Sequence, residues 1–219
     1  MSLLRCENIH CHRTHENALR QGVIEDFTAS FEEGEVTGFC GSDLVATELL
    51  VSILGLIETP DSGRIFLLDQ EVSKLRGLDF NKLRDTSLGY LFTHPHLIPS
   101  FTVAENVAMP FFRIRGQEGA RERTLAALEF VGIAEINAVC VEELPDSVHW
   151  RVAFARAIIH CPAVLVAISP PSPILLPYAR RLADEFGTAV LWNGHKSDLL
   201  PFSNHMVEIT SHLEHSSIS

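Results

Sequence analysis

A segment near the start of this 219-residue chain collects the side-chain types that ligate zinc. Its sequence, CENIHCHRTH, contains Cys6, His10, Cys11, His12 and His15. Thiolates and imidazoles are common zinc ligands, but a structural site needs about four of them around one ion. If residues 6–11 lie on a β-strand, alternate side chains point to opposite faces, so the set converges only with help from the following loop. We therefore expect no metal site in this segment.

A second segment, GSDLVATELL at residues 41–50, stands where a phosphate-binding loop would stand. It follows a short apolar run and opens a helical pattern, and a glycine-rich turn at such a junction lets successive N–H groups converge on an anion. Gly41 is its one glycine, and it contains no lysine. A carboxylate at the helix mouth can itself accept hydrogen bonds from the free N–H groups. The segment therefore predicts a strand-to-helix turn with Ser42 or Asp43 as N-cap, and with the Asp43 carboxylate in the place of an anion.

The bulk composition argues against several classes of function. Acidic residues outnumber basic ones by 28 to 17, and this net charge of −11 argues against a broad nucleic-acid-binding face. The five cysteines are scattered and odd in number, which favours reduced thiols over a disulfide framework. We find no signal peptide, and the longest helix-like apolar stretch is shorter than the about 20 residues that span a bilayer. Any membrane contact must therefore go through a partner. The nucleophile elbow Gly-x-Ser-x-Gly, which a Ser/His/Asp hydrolase would need, does not occur.

Hydrophobic periodicity predicts the elements that must position these segments. Alternating apolar residues indicate a hairpin over LLRCENIHC and VIEDFTASFEEGE, which leads into a buried strand at residues 36–40. Helical spacing follows over residues 44–57. Further strands are predicted in RIFLLDQEV, LGYLF, AVLVAI and TAVLWN, and further helices in FTVAENVAMPFFRIRG, ARERTLAALEFVGI, SVHWRVAFARAIIHCP and residues 176–186. The pattern predicts an α/β sheet with a helical insert, hence one domain over residues 1–210, a helical subdomain over about 93–160, and a polar tail over 211–219.

The order of these segments resembles the ATP-binding-cassette (ABC) ATPases. It is most similar to the ATP-binding subunits of lipoprotein-release and macrolide-exporter-type permeases. The resemblance covers nearly the whole chain and is carried by EEGEVTGFCG, LGLIETPDSGRI, SKLRGLDFNKLRDTSLGYLF, HLIPSFTVAENVAMPF, ALEFVGI, ELPDSVHWRVAFARAIIHCP and NGHKSDL. It implies a P-loop NTPase-like ABC ATPase fold, with a RecA-like sheet core, an antiparallel β subdomain and a helical subdomain.

The resemblance implies a nucleotide site whose loop has lost most of its chemistry. The phosphate loop of the family, Gly-x-x-Gly-x-Gly-Lys-Ser/Thr, falls on residues 41–48, and only Gly41 matches it. Two glycine positions hold Leu44 and Ala46, which cannot cheaply adopt the loop's backbone angles. Thr47 replaces the lysine that pairs with the terminal phosphates, and Glu48 replaces the hydroxyl that ligates magnesium. Because a carboxylate can also contact a metal, the Glu48 replacement alone is compatible with either interpretation.

Other chemical positions of the family are also replaced. The strand that should end in Asp-Glu ends in Ile168 and Ser169, of which neither is a good cation ligand or base. The remaining replacements are Thr93 for the γ-phosphate-sensing glutamine, Pro145, Asp146 and Ser147 within the signature, Arg13 near the adenine-stacking aromatic, and Leu175 at the acidic end of the D-loop segment SPIL. His195 aligns with the switch histidine, but without the Asp-Glu pair we interpret it as a vestige.

One exposed segment of the family's pattern is retained. HLIPSFTVAENVAMPF is similar to the stretch that lines the groove for the permease's coupling helix. The resemblance implies docking through His96, Leu97, Ile98, Pro99 and Phe101. An alternative interpretation assigns the later apolar residues, at 103, 107, 109 and 111, to a helix core. The implied partner is an integral-membrane permease of FtsX type, with a second cassette or another copy of this chain beside it and no nucleic acid.

Three hypotheses follow. The first is a pseudo-ATPase without cofactor, held on the cytoplasmic face of the cell membrane by its permease in a structural or regulatory role. The second is a divergent but active transport ATPase, and it alone requires MgATP. The third is a soluble interaction scaffold unrelated to transport. The first predicts neither ATP turnover nor millimolar-range affinity for MgATP.

Overall fold

The computed structural model describes residues 1–14, 21–116, 118–170 and 173–210. His15 of the zinc-type segment, Ser172 of the D-loop segment and the predicted tail at 211–219 lie outside these ranges. The described strands are β1 (Ser2–Thr14), β2 (Gln21–Glu32), β3 (Val36–Gly41), β4 (Ser62–Leu67), β5 (Gln70–Glu71), β6 (Leu88–Leu91), β7 (Val164–Ala167), β8 (Ala189–Asn193) and β9 (His205–Ile209). The described α-helices are α1 (Leu44–Leu54), α2 (Gly77–Ser87), α3 (Val103–Arg115), α4 (Ala120–Phe130), α5 (Asp146–Ile158), α6 (Leu176–Phe186) and α7 (Lys196–Leu199).

An antiparallel sheet of four strands, in the order β2-β1-β4-β5, covers one side of the molecule. Strand β1 turns Cys6, Ile9 and Cys11 into the core, while His12 is exposed. A register irregularity between Cys6 and Ile9 explains why the buried positions are not evenly spaced. Burial raises the pKa of the Cys6 thiol to about 11. Cys6 and Cys11 are therefore packing residues of the core.

The central sheet consists of parallel strands in the order β6-β7-β8-β3-β9. Both of its faces are covered, because alternate residues of each buried strand enter two different apolar clusters. In β7, Leu165 packs with helices α3–α6, whereas Val164 and Val166 pack with α1 and the antiparallel sheet. Strands that are buried on both faces need near-continuous apolar sequence, as VLVA and AVLWN have. The predicted α/β class, with one antiparallel and one parallel sheet, is confirmed.

Helices α3, α4 and α5 pack together beside the parallel sheet. A capping box begins α3, in which Thr102 accepts from the Glu105 N–H and Glu105 accepts from the Thr102 N–H. Helix α5 buries its apolar face, which includes Val152 and Phe154, against the same cluster. These helices lie inside the predicted subdomain at about 93–160, and its exact limits stay a prediction.

Several predicted elements need correction. The first helix ends at Leu54 and not at residue 57, because Gly55 caps it and the chain then turns. The sequence pattern does not indicate a helix over Gly77–Ser87, since α2 is mostly polar and buries little. Strand β9 is also absent from the predicted elements. This short strand is half-exposed, and its pairing with β3 holds it in the extended conformation. Among the described residues, no helix has the length and apolar character needed to cross a bilayer.

Candidate functional site

A cavity of about 370 Å³ lies beside the carboxyl ends of β7 and β8. Open α/β sheets bind ligands at this edge. Helix α1 contributes Thr47 and Glu48 to the lining, the segment after β7 contributes Ser169, and the segment after β8 contributes His195 and, from α7, Asp198. The structure therefore brings together four residues that the sequence singled out in three separate motifs, together with Asp198.

The N-terminus of α1 is capped by the chain's own carboxylate. Asp43 has an extended backbone, and its Oδ1 accepts a hydrogen bond of 2.8 Å from the Ala46 N–H. The Asp43 carbonyl accepts the Thr47 N–H at 3.0 Å, which is the first bond of the helix. The expected cap is therefore present. It takes up one of the N–H donors that a phosphate would need, and it adds a negative charge where the helix dipole is positive.

A glycine stands at position 41 for a structural reason that does not involve phosphate. It pairs with Ile209 of β9, and a Cβ at this position would collide with the Ile209 carbonyl oxygen. The close approach of β3 and β9 therefore excludes any side chain here. Ser42 lies next to it and is exposed.

Thr47 and Glu48, which stand at the lysine and metal-ligating hydroxyl positions of the family's phosphate loop, lie in different environments. Thr47 is only 2% exposed, and its Oγ1 donates to the Asp43 carbonyl at 2.7 Å, so the hydroxyl is used within the helix. Glu48 is exposed, and its Oε2 accepts a long hydrogen bond of 3.4 Å from the Ser169 Oγ. The carboxylate of Glu48 therefore keeps most of its acceptor capacity.

A buried amide fixes the end of β7. The Ser169 N–H donates to Asn193 Oδ1 at 2.5 Å, and Asn193 Nδ2 donates to Ser169 Oγ at 2.9 Å. Ser169 has a φ of 46°, a left-handed conformation that a non-glycine residue adopts only when its surroundings hold it. Ile168 points into the apolar cluster that contains α1 and is 5% exposed. Sequence reasoning missed Asn193, whose signal was one polar residue that ends the apolar run AVLWN.

The charges around the cavity are negative. Glu48 and Asp198 line it, and His195, which is exposed, is the N-cap residue of α7. In the part of the chain that the structure describes, neither lysine nor arginine is among the residues that line the cavity. Lys196 follows His195, but its Nζ donates to Glu208 at 2.7 Å. Among these described residues, His195 is thus the one lining side chain that could face an anion with a positive charge.

The remaining predicted nucleotide positions do not line this cavity. Thr93 is exposed on the loop after β6. Arg13 donates to Asp61 at 2.7 Å and to the Thr59 carbonyl, so it ties the end of β1 to the turn after α1. That hydrogen bond lowers the pKa of the Asp61 carboxyl. Leu175 is buried in the apolar cluster of α3–α6. Of the positions assigned from the family's motifs, the described lining of the cavity thus contains only part of the loop (Leu44, Val45, Thr47 and Glu48), with Ser169 and His195.

The signature position forms the exposed start of α5. Pro145 is the N-cap residue and offers no side-chain acceptor, and Asp146 and Ser147 follow it on the surface. The exposed carboxylates of Glu142 and Glu143 precede it. The tip therefore carries negative charge and no glycine.

The segment predicted for docking is held by two polar side chains to which sequence reasoning gave no such role. Arg156 of α5 donates through Nη1 to the His96 carbonyl at 2.6 Å and through Nη2 to the Pro95 carbonyl at 2.5 Å. Burial lowers the pKa of this guanidinium. Asn106 of α3 is fully buried, accepts the Ile98 N–H at 2.8 Å and donates to the Ile98 carbonyl at 3.0 Å. The loop is therefore fixed to both helices.

This support leaves part of the segment at the surface. Leu97 packs against the apolar cluster of α3–α6, whereas Pro99 is exposed and Phe101 is 39% exposed. Val103, Val107 and Phe111 are buried, but Met109 is 41% exposed. The interpretation of the later positions as helix core therefore holds for three of the four.

Comparisons with known proteins identify the architecture. The model of a family described as "ABC transporter" matches residues 24–168. Two solved structures of the ATP-binding cassette MJ0796 are similar to this chain. One is a dimeric post-hydrolysis state bound to ADP and Pi, with 21% identity and a TM-score of 0.78. The other is a dimeric bacterial ABC transporter cassette, with 20% identity and a TM-score of 0.79. Each alignment covers 94% of this chain and 94% of that chain.

A third solved structure is that of cbiO1 from Clostridium perfringens, which is part of the ABC transporter complex cbiONQ. It has 22% identity and a TM-score of 0.78, and the alignment covers 94% of this chain and 84% of that chain. Identities of this size show a shared fold. The predicted ABC ATPase fold is confirmed.

Proposed function

The chain belongs to the ABC transporter family, and we propose that it is a pseudo-ATPase, a cassette subunit that docks on a permease without binding or hydrolysing MgATP. The observation that carries the proposal is the N-terminus of α1, where Asp43 caps Ala46 and Thr47 stands in place of a lysine. One close charge pair near a protein surface contributes about 4 kcal/mol at an effective dielectric of 20. Loss of that pair alone lowers affinity by roughly a thousandfold.

The residues around the cavity do not fit MgATP. The Thr47 hydroxyl is used by the Asp43 carbonyl, and the carboxylates of Glu48 and Asp198 line the cavity. A polyphosphate would meet these carboxylates without a compensating cation among the described lining residues. Ile168 is buried in the apolar cluster, so it offers no metal ligand. We therefore propose no route for ATP hydrolysis in this cavity.

The catalytic vestiges support the same proposal. The Oγ of Ser169 is held between the Asn193 amide and the Glu48 carboxylate, so it is a positioned hydrogen-bonding group. It cannot act as a general base at neutral pH. His195 has no Asp-Glu pair at the end of β7 to assist, because Ile168 and Ser169 hold those two positions.

Docking is proposed through the segment of His96, Leu97, Ile98, Pro99 and Phe101. Its carbonyl and amide groups are held by Arg156 and Asn106, so a preformed surface would meet the partner. Preorganised surfaces bind at a lower entropic cost. The assignment to a permease of FtsX type, and to the lipoprotein-release or macrolide-exporter branch, rests on the sequence HLIPSFTVAENVAMPF. The proposed location is the cytoplasmic face of the cell membrane.

The proposed function also requires a second cassette subunit that pairs with this chain. The MJ0796 structures are dimeric. The proposed partner cassette is either another copy of this chain or a competent subunit. Both the phosphate loop and the signature are replaced here, so a mixed pair would lose both composite nucleotide sites. Light scattering of the chain alone and with a candidate partner subunit tests which pair forms.

A divergent but active ATPase is the alternative, and one observation favours it. Glu48, Ser169 and His195 line one cavity at the ligand-binding edge of the sheet. Equilibrium binding of labelled ATP separates the two: the pseudo-ATPase shows no saturable binding, and an active enzyme binds and turns over. The third hypothesis, a soluble scaffold unrelated to transport, is separated from the first by testing whether the chain binds a permease.

Docking is tested by using the purified chain to pull down FtsX-type permease from detergent-solubilised membranes of the cells that produce this chain. The wild-type chain should retain the permease, and Phe101→Ala should retain several-fold less. Leu78→Ala is the matched control, because Leu78 is 86% exposed on α2 and lies outside the segment. Equal retention by Phe101→Ala and wild type would refute docking through this segment, and the absence of any permease would favour the scaffold.

A further inference from the structure

We infer that the cavity between α1, the ends of β7 and β8, and α7 binds an organic cation, an ammonium or amidinium group on an apolar body. The inference rests on the proposed function in one respect, namely that no nucleotide competes for the cavity. It reverses the charge of the ligand that the fold would otherwise bind at this edge.

The charge of the cavity lining is the first support. Glu48 and Asp198 line the cavity and are its two carboxyl side chains. Asp43 adds a third carboxylate at the start of α1 and offsets the positive end of that helix. Lys196, which follows the lining residue His195, is bound to Glu208. Within the described ranges, the lining holds two carboxylates, the imidazole of His195 and neither lysine nor arginine, and this balance favours a positively charged ligand.

The remaining hydrogen-bonding capacity of the lining is the second support. Glu48 accepts one hydrogen bond from the described residues, the 3.4 Å bond from Ser169. An ionised carboxylate has about four acceptor positions. Asn193 holds Ser169 through two hydrogen bonds, and Ser169 and Glu48 both line the cavity. N–H donors of an ammonium or amidinium group would satisfy Glu48.

The apolar wall of the cavity is the third support. Val45, Leu176 and Leu199 line the cavity, and the buried Trp192 contributes to it. Leu44, at the first position of α1, also lines it and is 65% exposed. A volume of about 370 Å³ lies within the roughly 300–1,000 Å³ of small-molecule pockets. The cavity thus offers carboxylates for a charged head and apolar surface for a body.

A bare metal ion fits less well than an organic cation. Among the residues that the structure describes, no group of three or more His, Cys, Asp and Glu side chains could hold a metal. The two carboxylates come from different helices, and the surface between them is partly apolar. This surface suits a cation that carries its own apolar body.

The test uses benzamidine as the probe and benzamide, its neutral counterpart of nearly the same shape, as the control ligand. Titration calorimetry of the full chain at low salt should give at least tenfold tighter binding of benzamidine. Glu48→Gln and Asp198→Asn should each weaken benzamidine binding about tenfold, since each removes one charge from the site. Glu142→Gln, at an exposed acidic residue outside the cavity, should leave binding unchanged.

Three results would overturn the inference: equal binding of benzamidine and benzamide, full retention of binding in both carboxylate variants, or displacement of benzamidine by magnesium alone. Circular dichroism and thermal melting of each variant show that it is folded. A blocked arginine amide, titrated alongside, distinguishes the source of the cation. Binding of benzamidine alone assigns a free small molecule, binding of both includes a partner's basic side chain, and binding of neither overturns the inference.

The outcome is separable from that of the proposed function. Absence of both benzamidine and ATP binding refutes the cation site and leaves the pseudo-ATPase intact. Saturable ATP binding refutes the pseudo-ATPase, whatever benzamidine does.

Discussion

Removal of the Asp43 carboxylate tests the cap at the N-terminus of α1. In Asp43→Ala, the Ala46 N–H loses its 2.8 Å acceptor, while the rest of the helix keeps its backbone bonds. Loss of an N-cap acceptor costs about 1 kcal/mol, within a range of about 0.5–2. For a chain of this length, that loss lowers the melting temperature by about 2–4 °C.

The assay is denaturant unfolding monitored by circular dichroism, with Asp43→Asn and Glu129→Ala as comparisons. Asparagine keeps a side-chain oxygen at the N-cap, so Asp43→Asn should unfold within about 0.5 kcal/mol of wild type. Glu129 is exposed on α4, and its replacement should also change stability by less than about 0.5 kcal/mol. An Asp43→Ala variant as stable as wild type would refute the cap. So would an Asp43→Asn variant as unstable as the alanine variant.

Three further predictions concern other residues of the same chain. Thr47→Lys alone should not create MgATP binding in a calorimetric titration, because Asp43 would still occupy the helix N-terminus; micromolar binding would contradict this. Asn106→Ala should destabilise the chain by about 1–3 kcal/mol and speed hydrogen exchange at the Ile98 amide, and unchanged exchange would contradict its role. Burial lowers the pKa of His160, whose buried Nδ1 has no hydrogen-bond partner among the described residues. The unfolded chain therefore binds more protons, so stability falls as the pH drops below about 6.5, and His160→Gln should flatten this dependence in melts from pH 7.5 to 5.

The sequence was informative wherever burial imposes a period. The apolar runs that became β7 and β8, and the helical spacing of α1 and α5, reflect surfaces that must face a core. The Asp43 cap was also predictable, because a helix start leaves N–H groups free and a nearby carboxylate is a local feature.

The parts that were missed depend on contacts between distant residues. Strand β9 has little apolar signal of its own and is extended because Gly41 of β3 lets it approach. Asn193 and Arg156 gained their roles from loops that lie far away in sequence, at Ser169 and at residues 95–96. Local patterns carry no information about such partners, so the support of the cavity and of the docking segment required the structure.

Titration calorimetry of MgATP into the full chain tests the central claim most directly. We predict no saturable heat up to millimolar nucleotide, because Asp43 caps α1 and the described lining of the cavity carries carboxylates without a lysine or arginine. Saturable binding with a micromolar dissociation constant would contradict the pseudo-ATPase.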